Sequence, residues 1–192
     1  MTLSPATLPA GESDTEHRRH VVSALVVDRP GTLNRVSGLL RARSFNIESL
    51  TVGATDQPGR SRMTIAIRGD DGHLRQVLAQ LERLIDVLEV ADLTSAPRIE
   101  LELALVEVDA PSNVAQERAL ASILASAGGA TLSTDPGSWR AYLAATPEII
   151  DGALQALRAH GLRRLVRAGA VAMAARDSQP EPITTQNGAP EA

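Results

Sequence analysis

Hydrophobic positions in the first half of the chain predict strands and helices in the order strand, helix, strand, strand, helix, strand. Residues 21–27 form a β-branched run that is typical of a buried strand, and residues 63–67 alternate with the period of a half-buried strand. Residues 46–54 and 87–93 are two further strands. Two stretches have helical spacing instead: Leu33, Val36, Leu39 and Leu40, then Leu74, Val77, Leu78, Leu81, Leu84 and Ile85.

This βαββαβ order constrains the topology. Right-handed crossovers put both helices on one face of a four-stranded antiparallel sheet, which is the ferredoxin-like arrangement. Such a unit is small, so the face or edge of its sheet that the helices leave uncovered needs a partner.

The same order of elements recurs in the second half. Strands are predicted at residues 99–108, 130–133, 139–144 and 162–174, and helices at 113–127 and 147–160. We therefore predict an α+β protein with two tandem ferredoxin-like domains, at residues 19–95 and 96–176. The flanking segments, 1–18 and 177–192, are polar and rich in proline, and we expect both to be disordered tails.

The amino-acid composition of the chain argues against several classes of function. The chain of 192 residues has a net charge of −4 and no long basic run, which argues against a nucleic-acid partner. It has no cysteine, no signal-peptide pattern and no apolar run near the roughly 20 residues that span a bilayer. We expect a cytoplasmic protein that does not bind a membrane.

Motifs for catalysis and metal binding are missing. The four histidines, at positions 17, 20, 73 and 160, lack the spacing of a metal site, and no nucleophile elbow, P-loop or dinucleotide fingerprint occurs. We expect no catalytic residue, no metal and no cofactor in this chain, so an enzyme acting alone is the weaker hypothesis.

The segment from Asp28 to Leu33 has the polarity of a free amino acid. Gly31 lets the backbone approach a ligand, and the amides after it open a helix whose N-terminus favours a carboxylate. Asp28 offers a negative oxygen to an ammonium group. The alternative is a plain β-turn followed by a good helix start, and the residues alone leave that alternative open.

Longer stretches resemble a known family. The segment from Asp28 to Leu33 is similar to the opening of an ACT domain, a small-molecule-sensing module. Residues 44–52, 56–58, 61–65 and 84–88 resemble the signature of acetolactate synthase small subunits. The second half matches that family more loosely, in residues 103–106 and in Val166, Arg167 and Gly169.

The resemblance implies a regulatory subunit that pairs through its ACT domains into a homodimer. Valine, or another branched-chain amino acid such as isoleucine, would bind at the interface. Its ligand-binding residues would be Asp28, Gly31, Thr32 and Leu33 of one chain, with Asn46 and Ile47 of the second chain, and aliphatic walls from Leu33, Val36 and Ile47.

The implied partner is the large catalytic subunit of acetolactate synthase, which would carry thiamine diphosphate, Mg and FAD. The small subunit would activate it and confer feedback inhibition by valine in branched-chain amino acid biosynthesis. Four residues depart from the family pattern: Asp28 where Asn is common, Ser44 for Gly, Leu101 for Arg and Glu107 for Lys. The alternative function is a stand-alone amino-acid sensor that regulates another enzyme or a transcription factor.

Overall fold

The first half of the chain forms a four-stranded antiparallel sheet with two helices. The computed structural model describes residues 18–42 and 46–175. The elements are β1 (Arg18–Val27), α1 (Thr32–Ala42), β2 (Asn46–Ala54), β3 (Arg60–Gly69), α2 (Asp71–Leu81) and β4 (Val87–Asp92). The strand order is β2-β3-β1-β4, which leaves β2 and β4 at the edges.

The second half repeats this architecture. Its elements are β5 (Arg98–Asp109), α3 (Val114–Ser126), β6 (Ala130–Asp135), β7 (Ser138–Ala145), α4 (Pro147–Arg158) and β8 (Leu162–Ala174), in the sheet order β6-β7-β5-β8. The strand order matches that of the first sheet, and all hydrogen-bonded neighbours are antiparallel. The predicted fold class, α+β with two ferredoxin-like units, is confirmed.

Each unit has an aliphatic core between its sheet and its helices. In the first unit, alternate residues of β1 and β3 pack under the buried faces of α1 and α2, as the period-2 and helical spacings require. In the second unit, alternate residues of β5 pack under α3 and α4 in the same way. The near absence of aromatic residues explains why these cores consist of Val, Leu, Ile and Ala.

Helix α2 is shorter than its hydrophobic spacing predicts. It ends at Leu81, and a tight turn follows, closed by hydrogen bonds from Leu84 N to Leu81 O and from Val87 N to Leu84 O. The prediction that Ile85 continues the buried stripe is wrong, because this side chain is 71% exposed. The turn directs Asp86 into the protein instead.

Strand β8 joins the two units. Its register against β5 shifts where Leu103 faces both Ala168 and Gly169, which is a β-bulge with a glycine at φ +81°. Beyond the bulge, Ala172 and Ala174 pack against Val21, Ala91 and Leu93 on the face of the first sheet that the helices leave open. The partner that this sheet face was expected to need is therefore the second half of the same chain.

Both ends of the chain and one internal segment lie outside the described residues. The predicted disordered tails, residues 1–18 and 177–192, fall outside the described residues except for Arg18, which begins β1. The signature residues Ser44 and Phe45 fall in the undescribed segment 43–45. In the described ranges, 18–42 and 46–175, the helices are too short and too polar to cross a bilayer.

Candidate functional site

The loop between β1 and α1 has the backbone geometry of an open helix N-terminus. Gly31 adopts φ +91°, and its carbonyl oxygen accepts the first bond of the helix, from Arg35 N at 3.0 Å. The loop is held at its start by a 2.8 Å bond from Asp28 N to Gly59 O. Gly31 therefore occupies the N-cap position of α1, in a conformation that favours glycine.

Helix α1 lacks the side-chain cap that two other helices have. Asp70 and Asn113, at the N-caps of α2 and α3, accept hydrogen bonds from the backbone amides of His73 and Gln116. Gly31 has no side chain to do this, and the first turn of α1 contains no acidic residue. Thr32 N donates to Arg29 O at 3.2 Å, so the amides of Leu33 and Asn34 are the leading amides of α1 that remain available to an external acceptor, with the helix dipole favouring an anion.

Thr32, the first residue of α1, adds a second polar group at this point. Its side chain is 3% exposed, and its hydroxyl oxygen has no hydrogen-bond partner among the residues that the structure describes. Buried hydroxyl groups usually have a partner, because an unpaired one loses its hydration without compensation. The Thr32 hydroxyl is therefore a second polar group, beside the amides of α1, that could bind a ligand.

The buried side chain of Asp86 holds the loop between β1 and α1 in place. This carboxylate is 1% exposed and forms ion pairs with Arg29 in the loop and Arg35 in α1. Arg35 Nε donates a hydrogen bond to Asp86 Oδ2, whereas Arg29 faces Oδ1 outside hydrogen-bonding geometry. The backbone takes part as well, since Val27 N donates to Asp86 O at 2.8 Å. Sequence reasoning missed this role, for which the only signal was one acid inside an apolar stretch, residues 84–88.

The predicted site residues in and next to the loop between β1 and α1 are close in sequence but differ in exposure. Asp28 and Gly31 are exposed, Thr32 is buried, and Leu33 is 46% exposed. Val36 is wholly buried in the first core, so it supports the helix and has no surface to offer a ligand. The role of Val36 as an aliphatic wall of the site stays a prediction.

Asn46 and Ile47 lie at the other end of the same sheet. Asn46 pairs with Arg68 of β3, which pairs with Arg19 near the start of β1, whereas the loop follows Val27 at the end of β1. Eight residues of strand separate Arg19 from Val27, or roughly 27 Å. Within one chain, the two groups of predicted site residues therefore do not meet.

A charged cleft lies between the first residues of β2 and the second unit. It has a volume of about 690 Å³, and its lining includes Arg19, Glu48, Arg68, Glu102 and Arg167. These side chains are paired: Arg19 with Glu48 at 3.1 Å, Arg68 with Glu48 at 2.6 Å, and Arg167 with Glu102 at 2.6 Å. The hydrogen bond to Glu102 raises the pKa of Arg167 above its ordinary value. The cleft is an ion-pair network between the units.

Glu100 connects this network to the linker. Arg19 Nη2 donates to Glu100 at 2.6 Å and Arg98 Nε at 2.8 Å. Burial alone raises the pKa of Glu100, but the hydrogen bonds and charges of the two arginines outweigh it and hold that pKa below its ordinary value. For Arg19 the same two effects have the opposite signs. Burial lowers the pKa of Arg19, but the hydrogen bond and the charge of Glu100 outweigh burial, so this pKa lies above its ordinary value.

Both units match family models. Residues 22–89 match the model described as an AHAS small subunit-like ACT domain. Residues 101–176 match the model described as the small subunit of acetolactate synthase. The two matched segments correspond to the two sheets with their helices.

Similar proteins come from several organisms. A probable acetolactate synthase small subunit of Methanothermobacter thermautotrophicus is 40% identical over 160 residues, covering 83% of this chain and 95% of its own. An acetolactate synthase small subunit of Aquifex aeolicus is 37% identical over 156 residues, covering 81% of each chain.

A solved structure supports the same assignment. The crystal structure of the acetolactate synthase small subunit from Thermotoga maritima superposes with a TM-score of 0.74 at 29% identity, covering 82% of this chain and 98% of that one. The matched models and these relatives together span both units, and the chain belongs to the family of acetolactate synthase small subunits.

Proposed function

We propose that this chain binds the large catalytic subunit of acetolactate synthase, raises its activity, and makes it sensitive to inhibition by valine. Membership of the small-subunit family supports the partner. The observation that supports the effector is the uncapped N-terminus of α1, where Gly31 replaces a capping side chain and the buried hydroxyl of Thr32 has no partner. The catalytic partner would hold thiamine diphosphate, Mg and FAD.

Each part of a free amino acid has a counterpart at this loop. The effector's carboxylate would accept hydrogen bonds from the amides of Leu33 and Asn34 and from the Thr32 hydroxyl, with the helix dipole adding a favourable charge. Asp28, exposed just before the loop, would receive the ammonium group. Leu33 would contact the aliphatic side chain. Discrimination by one methylene is worth only about 1–3 kcal/mol, so some response to leucine or isoleucine is expected.

The site would be completed by a second copy of the chain. Strand β2 is an edge of the first sheet, so its outer backbone groups can pair with β2 of another copy. Antiparallel pairing would bring Asn46 of the second copy toward Ala54 of the first. Ala54 pairs with Ser61, and both lie at the end of the sheet where Val27 leads into the loop. This geometry explains why Asn46 and Ile47 lie far from the loop in one chain.

Regulation follows if valine prefers one state of the complex. A ligand shifts an equilibrium only by its difference in affinity between two states. Valine bound between two first units would favour the arrangement of the dimer in which both halves of the site meet. The large subunit attached to that arrangement would be the less active one.

The test combines calorimetry with an activity assay. Valine is titrated into the full chain, into Gly31→Asp and into Gly137→Asp, a matched control whose glycine has φ +90° in a turn of the second unit. We expect binding to the wild type and to Gly137→Asp, and loss of binding in Gly31→Asp. The purified large subunit should be activated by the chain and inhibited by valine in its presence. Unchanged binding to Gly31→Asp would remove the loop from the site, and failure to co-purify with the large subunit would remove the partner.

A further inference from the structure

A β-bulge in β2 directs two consecutive side chains toward the second unit. The pairing of β2 with β3 shifts between Ile47 and Ser49, which leaves Glu48 as the extra residue. Ile47 packs against the first core, on the helix side of the sheet. Glu48 and Ser49 line the cleft between the units instead, and a Cβ at Gly169 of β8 would lie 2.9 Å from Ser49 Cβ. The start of β2 therefore continues directly into contacts with the second unit.

The carboxylate of Glu48 is held at both of its oxygens. Arg68 donates to Glu48 Oε1 from Nε, and its Nη2 lies 2.6 Å from the same oxygen. Arg19 Nε donates to Oε2 at 3.1 Å. Hydrogen bonds between two charged groups are roughly twice as strong as those between neutral groups. The position of Glu48 is therefore well defined, and a shift of this part of β2 would change its distance to both arginines.

Arg19 extends the contact into the second unit. Its Nη2 donates to Glu100 Oε1 of β5 at 2.6 Å. The other oxygen of Glu100 accepts a bond from Arg98 Nε at 2.8 Å. Arg98 Nη1 in turn donates to the carbonyl oxygens of Leu93 and Thr94, at 2.9 and 2.8 Å, in the linker between the units. A single guanidinium group, that of Arg19, thus joins the bulge of β2 to the first strand of the second unit and to the linker.

This contact has little access to water. The side chain of Arg19 is 20% exposed and that of Glu100 is 8% exposed. An ion pair that is largely buried becomes costly when one partner moves away, because the remaining charge is left without compensation. A change in the position of Glu48 is therefore transmitted through Arg19 to Glu100, since solvent cannot readily take the place of either partner.

We propose that Glu48 is a positioning residue through which a bound effector acts on the second unit. The proposal rests on the proposed function, because Asn46 and Ile47, the two residues before Glu48, would contact valine. A ligand that orders these two residues biases the position of Glu48 and, through Arg19, that of β5. Coupling of this kind is a free energy shared between two places in the molecule, so it can be removed while valine binding and activation are kept.

The test separates valine binding from valine inhibition. Glu48→Gln removes the charge and keeps the size of the side chain. Glu89→Gln is the matched control, because the Glu89 side chain is 34% exposed against 28% for Glu48, and its ion pair with Arg62 lies within the first unit. Each full chain is titrated with valine by calorimetry and assayed with the large subunit at saturating valine. We expect both variants to activate the large subunit and to bind valine within about threefold of the wild type, and Glu48→Gln alone to lose at least half of the maximal inhibition.

A second variant breaks the same connection from the other unit. Glu100→Gln should also reduce maximal inhibition, and the double variant with Glu48→Gln should be inhibited no less than the weaker of the two single variants, because both changes remove one coupling. Full inhibition of Glu48→Gln would overturn the proposal, as would an equal loss of inhibition in Glu89→Gln. A loss of inhibition matched by an equal loss of valine affinity would also overturn it, because Glu48 would then only support the site. A wild-type chain that does not bind valine would overturn the proposed function and the coupling together.

Discussion

The side-chain hydroxyl of Thr51 donates a 2.6 Å hydrogen bond to the backbone carbonyl oxygen of Ala170. Thr51 lies on β2, the edge strand that begins with the predicted ligand residues Asn46 and Ile47, and Ala170 follows the bulge of β8. A second bond runs from Ala172 N to Thr64 Oγ1 at 3.3 Å. The position of β2 therefore depends on the second unit.

Alanine substitutions at Gly169 and Gly137 should distinguish the cost of backbone strain from the cost of overpacking between the two units. A Cβ at this residue would lie 2.9 Å from Ser49 Cβ, and the glycine has φ +81°. Gly137, at φ +90°, has no atom within 4 Å of such a Cβ. We expect Gly137→Ala to cost about 1–2 kcal/mol in unfolding free energy from strain alone, and Gly169→Ala to cost at least about 1 kcal/mol more from overpacking. Urea unfolding measures both, and equal losses would argue against close packing of β8 on β2.

Substitution of Thr32 should raise stability and weaken effector binding together. Valine has nearly the shape of threonine, so Thr32→Val removes an unpaired buried hydroxyl without leaving a cavity. We expect the free energy of unfolding to increase by about 1 kcal/mol and valine affinity to fall by a similar free energy. Thr51→Val is the control, because its hydroxyl is paired and its loss should destabilise the protein. Thermal melts and calorimetry test the pair; a destabilised Thr32→Val would indicate that the hydroxyl has a partner.

The contact between Arg19, Arg98 and Glu100 should be sensitive to acid. The pKa of Glu100 is lowered in the folded protein, so the unfolded state takes up its proton first as the pH falls. The ionised Glu100 side chain therefore contributes its full stabilisation above the ordinary pKa of Glu, near 4.5. This contribution is lost as the pH falls through the lower pKa that Glu100 has in the folded protein. Glu100→Gln should be less stable than the wild type at pH 7, with the difference shrinking below about pH 4.5. A difference that stayed constant with pH would contradict this assignment.

Removal of the Asp86 charge should loosen the loop at Gly31. Its carboxylate is buried between Arg29 and Arg35, so Asp86→Asn should lower the free energy of unfolding by about 1–3 kcal/mol and weaken valine binding. Asp71→Asn is the matched control, because Asp71 pairs with Arg18 on an exposed surface and should change stability by less than about 1 kcal/mol. Chemical denaturation at neutral pH checks both variants, and similar effects from the two would show that Asp86 has no special role.

The elements and their order could be predicted because alternation and helical spacing are local properties. The end of α2 could not, since Leu84 and Ile85 continue the spacing of the helix although the chain turns at Glu82. After this turn Asp86 reaches Arg29 and Arg35, and Arg35 is 51 residues away from it in sequence. Periodicity within a short window does not contain that information.

The candidate site was predictable only in part for the same reason. The loop at Gly31 could be found because a glycine before a helix start is a local signal. The distance between that loop and Asn46 follows from the register of β1, β2 and β3, which the sequence pattern does not specify. The sequence analysis did not predict the bulge at Gly169, and the contact of this residue with Ser49 depends on how the two sheets pack.

The packing of β8 on the first sheet has a consequence for dissection of the chain. A fragment cut in the linker between β4 and β5 would lose Ala172 and Ala174 and leave Val21, Ala91 and Leu93 facing water. Its solubility and its affinity for effectors would then reflect a bare hydrophobic surface. Experiments on the isolated first unit would therefore misrepresent the intact chain.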